Sequence, residues 1–136
     1  MEFLVAATHE EVSRAVARFG ELLPAGLQAQ DGHAVEIAMA EILTNIVEHG
    51  YGGAGGPSIR VLWHPGERQL DVEVWDQGRP IPADRLSAVR AEFDPADLAA
   101  LPESGFGLEL IRSAFDKVEY EQGPPYNRLL LSKKVS

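Results

Sequence analysis

Between Ser58 and Asp76 the sequence reads SIRVLWHPGERQLDVEVWD, two runs with apolar residues at alternate positions, broken by Pro65-Gly66. Alternation at period two places an apolar row on one face of each strand and predicts a hairpin about that turn. Leu70, Val72 and Val74 share one face, and Asp76 closes the same row. A sheet with one apolar face needs another layer to cover it. That requirement excludes most architectures, and the covering layer has to come from the rest of the chain.

Two stretches supply it. Glu10 to Leu23 is amphipathic at helical spacing and stops before Pro24. A second helix runs to about His49, with Asp31 as its expected N-cap. On it Val35, Ala38, Met39, Ile42, Leu43 and Ile46 share one arc of about 140° at roughly 100° per residue, and His49 falls on the same arc. Met1 to Ala7 reads as a further strand, Gly105 to Phe115 as a short helix, and KVEYE with NRLLLSKKV as a second hairpin around Gly123-Pro-Pro. The order β α α β β (long connection) α β β predicts an α+β two-layer sandwich, a mostly antiparallel sheet with helices on one face.

A chain of 136 residues with 45% apolar content fits one domain with a single core. It has no apolar run long enough to span a membrane, and MEFLVAATHEE lacks the basic start of a signal peptide. It contains no cysteine, hence no disulfide or thiolate chemistry, which accords with the cytoplasm. The net charge of −9 argues against direct nucleic-acid binding. The twelve Lys and Arg are scattered, so a polyphosphate ligand would need backbone N–H groups and a metal ion to offset repulsion.

Three places carry candidate chemistry. Glu41 and Asn45 lie one turn apart on the border of the apolar arc of the second helix, both half-buried on the same flank. The plain alternative is an ordinary polar helix edge. Asp76 ends an inward-facing row, where a carboxylate needs hydrogen-bond donors; Gly78 follows and permits close approach to the backbone. In SGFGLELI, Gly105 and Gly107 open a helix whose first N–H groups lack partners, a setting for phosphate. Leu108, Leu110 and Ile111 also read as ordinary packing.

In this order, EILTNIVEHGY, DQGRPIP, SGFGLELIRSAFDKVEYE and NRLLLSKK, the chain resembles the GHKL (Bergerat-fold, histidine-kinase-like) ATPases. More narrowly, it resembles the single-domain anti-sigma-factor serine/threonine kinases. The resemblance implies ATP and Mg²⁺ as cofactors, with Asn45 as the metal ligand and Glu41 as general base. Asp76 would accept the adenine amino group, Gly78 would let the ring lie close, and Gly105, Phe106, Gly107 and Leu108 would cradle the phosphates. Pro82 to Ser104, polar and punctuated by proline, would form an ATP lid. Implied partners are an anti-sigma-factor antagonist, which would be phosphorylated, a sigma factor, and a second copy in a homodimer.

The match is not uniform. Sensor histidine kinases of this class usually carry Lys or Arg three residues after the Asn, where this chain has Glu48, which disfavours a histidine-kinase catalytic domain. His49-Gly50-Tyr51 matches the anti-sigma kinases, with His49 read as structural. Many relatives have Thr near the adenine at the start of the last strand, where this chain has Asn127. Ser104 replaces a glycine found in some relatives and can cap the helix. Arg14 occupies a position where some relatives place an arginine that meets both partners; the plain alternative is a solvated arginine beside Glu10 or Glu11. A nucleotide-binding switch without kinase activity is the main alternative function.

Overall fold

The computed structural model describes residues 1–82 and 108–135. Its elements in chain order are β1 (Glu2–Val5), α1 (His9–Glu21), α2 (Ala29–Asn45) with a π-helical turn (Ile46–Gly50), β2 (Ile59–Pro65) and β3 (Gln69–Asp76). They continue with α3 (Leu108–Ala114), β4 (Lys117–Glu121) and β5 (Asn127–Lys134). The five strands form one sheet in the order β1-β2-β3-β5-β4, and every described pairing is antiparallel. The α+β sandwich expected from the alternation is the observed fold.

The alternating residues do what their period requires. Ile59, Val61 and Trp63 of β2 and Leu70, Val72 and Val74 of β3 are buried, while Arg60, Asp71 and Glu73 between them are not. Val35, Ala38, Met39, Ile42 and Leu43 of α2 and Phe19 of α1 belong to the same core. Phe19 stacks on Trp63 with centroids 4.8 Å apart, and the Trp63 Nε1–H donates to the Leu22 carbonyl at 3.0 Å. A large buried ring with its one polar atom satisfied fixes the end of α1 to the sheet. The helices approach closely at Gly20, where a Cβ would overlap the Glu36 carboxylate of α2.

Besides Leu110, which is 41% exposed rather than packed like Leu108 and Ile111, two local expectations need correction. The N-cap of α2 is Gln28, in extended conformation and without a side-chain cap bond; Asp31 sits inside the first turn. Its negative charge is still favourable there, near the positive end of the helix dipole. The second correction concerns the helix end. After Asn45 the backbone widens into a π turn, with Tyr51 N–H donating to the Ile46 carbonyl at 2.8 Å. The extra residue in the turn shifts the angular phase of the side chains at this end of the helix. Val47 is therefore buried while Glu48 and His49 are exposed, so His49 does not continue the apolar arc.

β3 and β5 are central neighbours, and their register sets Asp76 opposite Asn127 at one end of the sheet. The C-terminal end of α2 and the start of α3 border the same region. The candidate site lies there.

Candidate functional site

Asp76 is 7% exposed, a carboxylate nearly enclosed at the end of an apolar row. Its Oδ1 accepts from the Gly78 N–H at 2.8 Å and from Asn127 Nδ2 at 3.2 Å. Both bonds fall on the same oxygen, and among the described residues Oδ2 accepts none. Burial raises the carboxyl pKa above its ordinary value, while the Gly78 and Asn127 donors pull it partly back. The donors demanded by the sequence position are present, and one oxygen is left over.

The residues after Asp76 are pinned from several directions. Tyr51 Oη accepts the Gln77 N–H at 3.2 Å. The Gly50 carbonyl accepts the Arg79 N–H at 2.9 Å, and Tyr120 Oη accepts the Ile81 N–H at 3.0 Å. Asn127 Nδ2 also donates to the Gly78 carbonyl at 2.8 Å. Burial pushes the Tyr120 hydroxyl up to about 12 and raises that of Tyr51, with the Asp76 charge adding to both. Both phenols therefore stay protonated at neutral pH. The π turn at the end of α2, β4 and β5 thus jointly hold a five-residue strap.

Gly78 has a structural duty that the sequence did not reveal. A Cβ there would come within 2.7 Å of the Gly50 backbone carbon and oxygen, so the close approach that requires glycine is made by this chain itself.

Beside the strap lies a cleft lined by Asn45 and Asp76 and by apolar side chains from the sheet and helices, including Ile42, Ile46, Val74, Ile81 and Leu129. Leu108 and Ile111 of α3 contribute, as do Tyr120, Arg79 and Arg112. Of the candidates, Asn45, Asp76 and Leu108 come together here. Glu41, half-buried one turn before Asn45 on α2, is not among the described lining residues. Gly105, Phe106 and Gly107, and the expected lid beyond Pro82, lie outside the described residues.

Arg79 and Arg112 are additions to the expected set. They are far apart in sequence, and only the fold makes them neighbours of one cleft. Tyr51 and Tyr120 are further additions, and Asn127, which stands where many relatives have Thr near the adenine, reaches the site through Asp76.

The cleft fits an adenine nucleotide on chemical grounds. Apolar walls suit a flat base, and a buried carboxylate with an unused oxygen suits an exocyclic amine. Among the described residues no three His, Asp or Glu side chains gather to hold a cation unaided. A Mg²⁺ ion commonly keeps waters and takes substrate phosphate oxygens, with few protein ligands. Asn45 can supply one oxygen to such an ion.

A two-layer sandwich with a carboxylate-floored cleft between sheet and helices is the frame of a histidine-kinase-like ATPase. The family model described as "Histidine kinase-like ATPase domain" matches residues 5–133, and the chain belongs to that family. It is 34% identical over 101 residues to the serine-protein kinase RsbW of Halalkalibacterium halodurans, covering 71% of this chain and 59% of that protein. It is 30% identical over 141 residues to the anti-sigma F factor of Clostridium acetobutylicum, covering 100% of this chain and 92% of that one. The solved structure of the RsbU and RsbW domains of Rv1364c from Mycobacterium tuberculosis superposes with a TM-score of 0.64 at 17% identity. That match covers 98% of this chain and 31% of the other, and it speaks to the fold. The chain spans about three fifths of the length of the serine-protein kinases it matches.

Proposed function

We propose that this chain is a Mg-ATP-dependent serine/threonine protein kinase and anti-sigma factor. It would phosphorylate a small antagonist protein and bind a sigma factor, in the cytoplasm and as a homodimer. The observation that carries the reading is the Asp76 carboxylate, held through Oδ1 with Oδ2 unused among the described residues, in the lining of an apolar cleft that also contains Asn45. The names of two relatives, a serine-protein kinase and an anti-sigma F factor, support a protein-serine substrate and a sigma-factor partner; the antagonist is what the family resemblance implies.

In this reading Asp76 Oδ2 accepts the amino group of adenine, and the apolar walls enclose the base. Asn45 offers its side-chain oxygen to the metal. The metal, held by Asn45 and the substrate phosphates, would supply neutralisation of the phosphate charge. Arg79 and Arg112 lower the cost of bringing a polyanion to a protein of net charge −9. The resemblance implies that Gly105, Phe106 and Gly107, outside the described residues, would cradle the phosphates with Leu108, and that Pro82 to Ser104 would serve as the lid. Glu41 would take the proton from a serine or threonine hydroxyl as the hydroxyl oxygen bonds to the γ-phosphorus. The bond from phosphorus to the ADP oxygen breaks, and ADP leaves with that electron pair.

One observation favours a second reading, a nucleotide-gated switch without transfer: Glu41 is not among the described lining of the cleft. Incubation with labelled ATP, Mg²⁺ and candidate antagonist proteins separates the two. Label on a serine or threonine of the antagonist, abolished by Asn45→Ala, is the kinase result. Tight nucleotide binding with no transfer to any antagonist supports the switch.

A further inference from the structure

Asn127 is 4% exposed at the start of β5, where a polar side chain is costly unless all its groups are used. They are used. Nδ2 donates to Asp76 Oδ1 at 3.2 Å and to the Gly78 carbonyl at 2.8 Å, and Oδ1 accepts the Gly123 N–H at 3.2 Å. This pattern fixes the orientation of the amide, because turning it over would set its oxygen against two acceptors and its NH₂ against a donor. Both amide protons are spent within the protein.

A carboxylate is free to turn about its χ2, so burial alone does not decide which oxygen faces a ligand. Here the Gly78 N–H and Asn127 Nδ2 both seize Oδ1. One donor comes from the turn that follows Asp76. The other comes from a strand 51 residues away. Asn127 also grips the Gly78 carbonyl, so the carboxylate and the turn beside it are held by the same amide.

We propose that Asn127 is the positioning residue that sets purine selectivity in this cleft: by locking Asp76 Oδ1 it presents Oδ2 as a fixed acceptor, favouring a base with an exocyclic amine over one with a carbonyl. The proposal rests on the reading of the cleft as a nucleotide site. Asn127 acts through Asp76 and leaves ligand contact to it. Without the amide, the carboxylate keeps one donor and gains freedom to turn, so it both grips an amine less well and repels a carbonyl less.

The test compares ATP with inosine triphosphate, which carries a carbonyl where adenine has its amine. Affinities of each Mg-nucleotide are measured by titration calorimetry for the wild type, Asn127→Leu and Asn127→Asp, with thermal melts to identify folded protein. Asn127→Asp retains the shape should Asn127→Leu fail to fold, and above neutral pH it sets an oxygen against Asp76 Oδ1 and the Gly78 carbonyl. The expected result is a wild-type preference for ATP that shrinks about tenfold in each folded variant, the size of one lost hydrogen bond to a charged group. Equal loss of both nucleotides, leaving the ratio unchanged, would mean a merely structural role and overturns the proposal alone. Failure of the wild type to bind ATP, or to prefer it, overturns the nucleotide reading and the proposal with it.

Discussion

Replacing Asp76 with asparagine separates the binding role of this carboxylate from its effect on the fold. The variant keeps the shape and an Oδ1 able to accept from the Gly78 N–H and Asn127 Nδ2, the two bonds present at 2.8 and 3.2 Å. The other oxygen becomes an NH₂, a donor facing the donor amine of adenine. Loss of a hydrogen bond to a charged group costs about 1.5–3 kcal/mol, so ATP affinity should fall roughly 10- to 150-fold. Stability should move the other way. Burial raises the Asp76 pKa, so the folded chain holds this proton to higher pH than the unfolded chain does. Stability from this group is therefore lost as pH rises from its ordinary value through the raised folded value. Above that window the buried charge burdens the fold, and below it the burden is gone. Asp76→Asn should melt at or above the wild-type temperature at pH 8, with its relative advantage shrinking toward pH 4. Calorimetric titration and melts across that range provide the assay. Undiminished ATP affinity, or a stability advantage that grows on acidification, would refute the reasoning.

Glu41→Ala should slow phosphate transfer to the antagonist by about 10²–10⁴-fold with nucleotide affinity nearly unchanged, read by single-turnover kinetics and titration on the same preparations. Tyr120→Phe removes the acceptor of the Ile81 N–H, and the unpaired donor should cost about 1–3 kcal/mol in denaturant unfolding. In the wild type, ultraviolet titration should find one tyrosine ionising at about 12; since unfolded tyrosine ionises near about 10, stability from this group should drop between these values. Arg14 is paired with Glu10 and Glu11 on the surface, at 2.9 Å each. Arg14→Ala should therefore leave the melting temperature and ATP affinity unchanged, while weakening sigma-factor and antagonist complexes in pull-down or calorimetric assays.

What could be read from the sequence was mostly what repeats locally. The period-two row Leu70, Val72, Val74, Asp76 gave a buried face and placed a carboxylate on it, and β3 has that face. The helical arc of α2 from Val35 to Leu43 is buried as its spacing requires. The half-burial of Glu41 and Asn45 came from their place at its border. The π turn was hidden because nothing in the spacing of IVEHG marks one extra residue, and His49 moved to the surface as a result. The grip on Asp76 was hidden for a different reason. Asn127 lies 51 residues from it and Tyr120 is 39 from Ile81, separations on which local periodicity is silent. The hints were a polar Asn opening the strand ahead of the apolar run Leu129 to Leu131, just after Gly-Pro-Pro-Tyr, and its place where many relatives have Thr. Scattered arginines likewise hid the meeting of Arg79 and Arg112 at one cleft.

The most direct measurement is a crystal structure of the protein with Mg²⁺ and a non-hydrolysable ATP analogue. The expected complex has the adenine amine within hydrogen-bond distance of Asp76 Oδ2, Oδ1 still held by Gly78 and Asn127, and the Asn45 side-chain oxygen on the metal. A nucleotide bound elsewhere, or a base in this cleft with its amine turned away from Asp76, would contradict the assignment of the site.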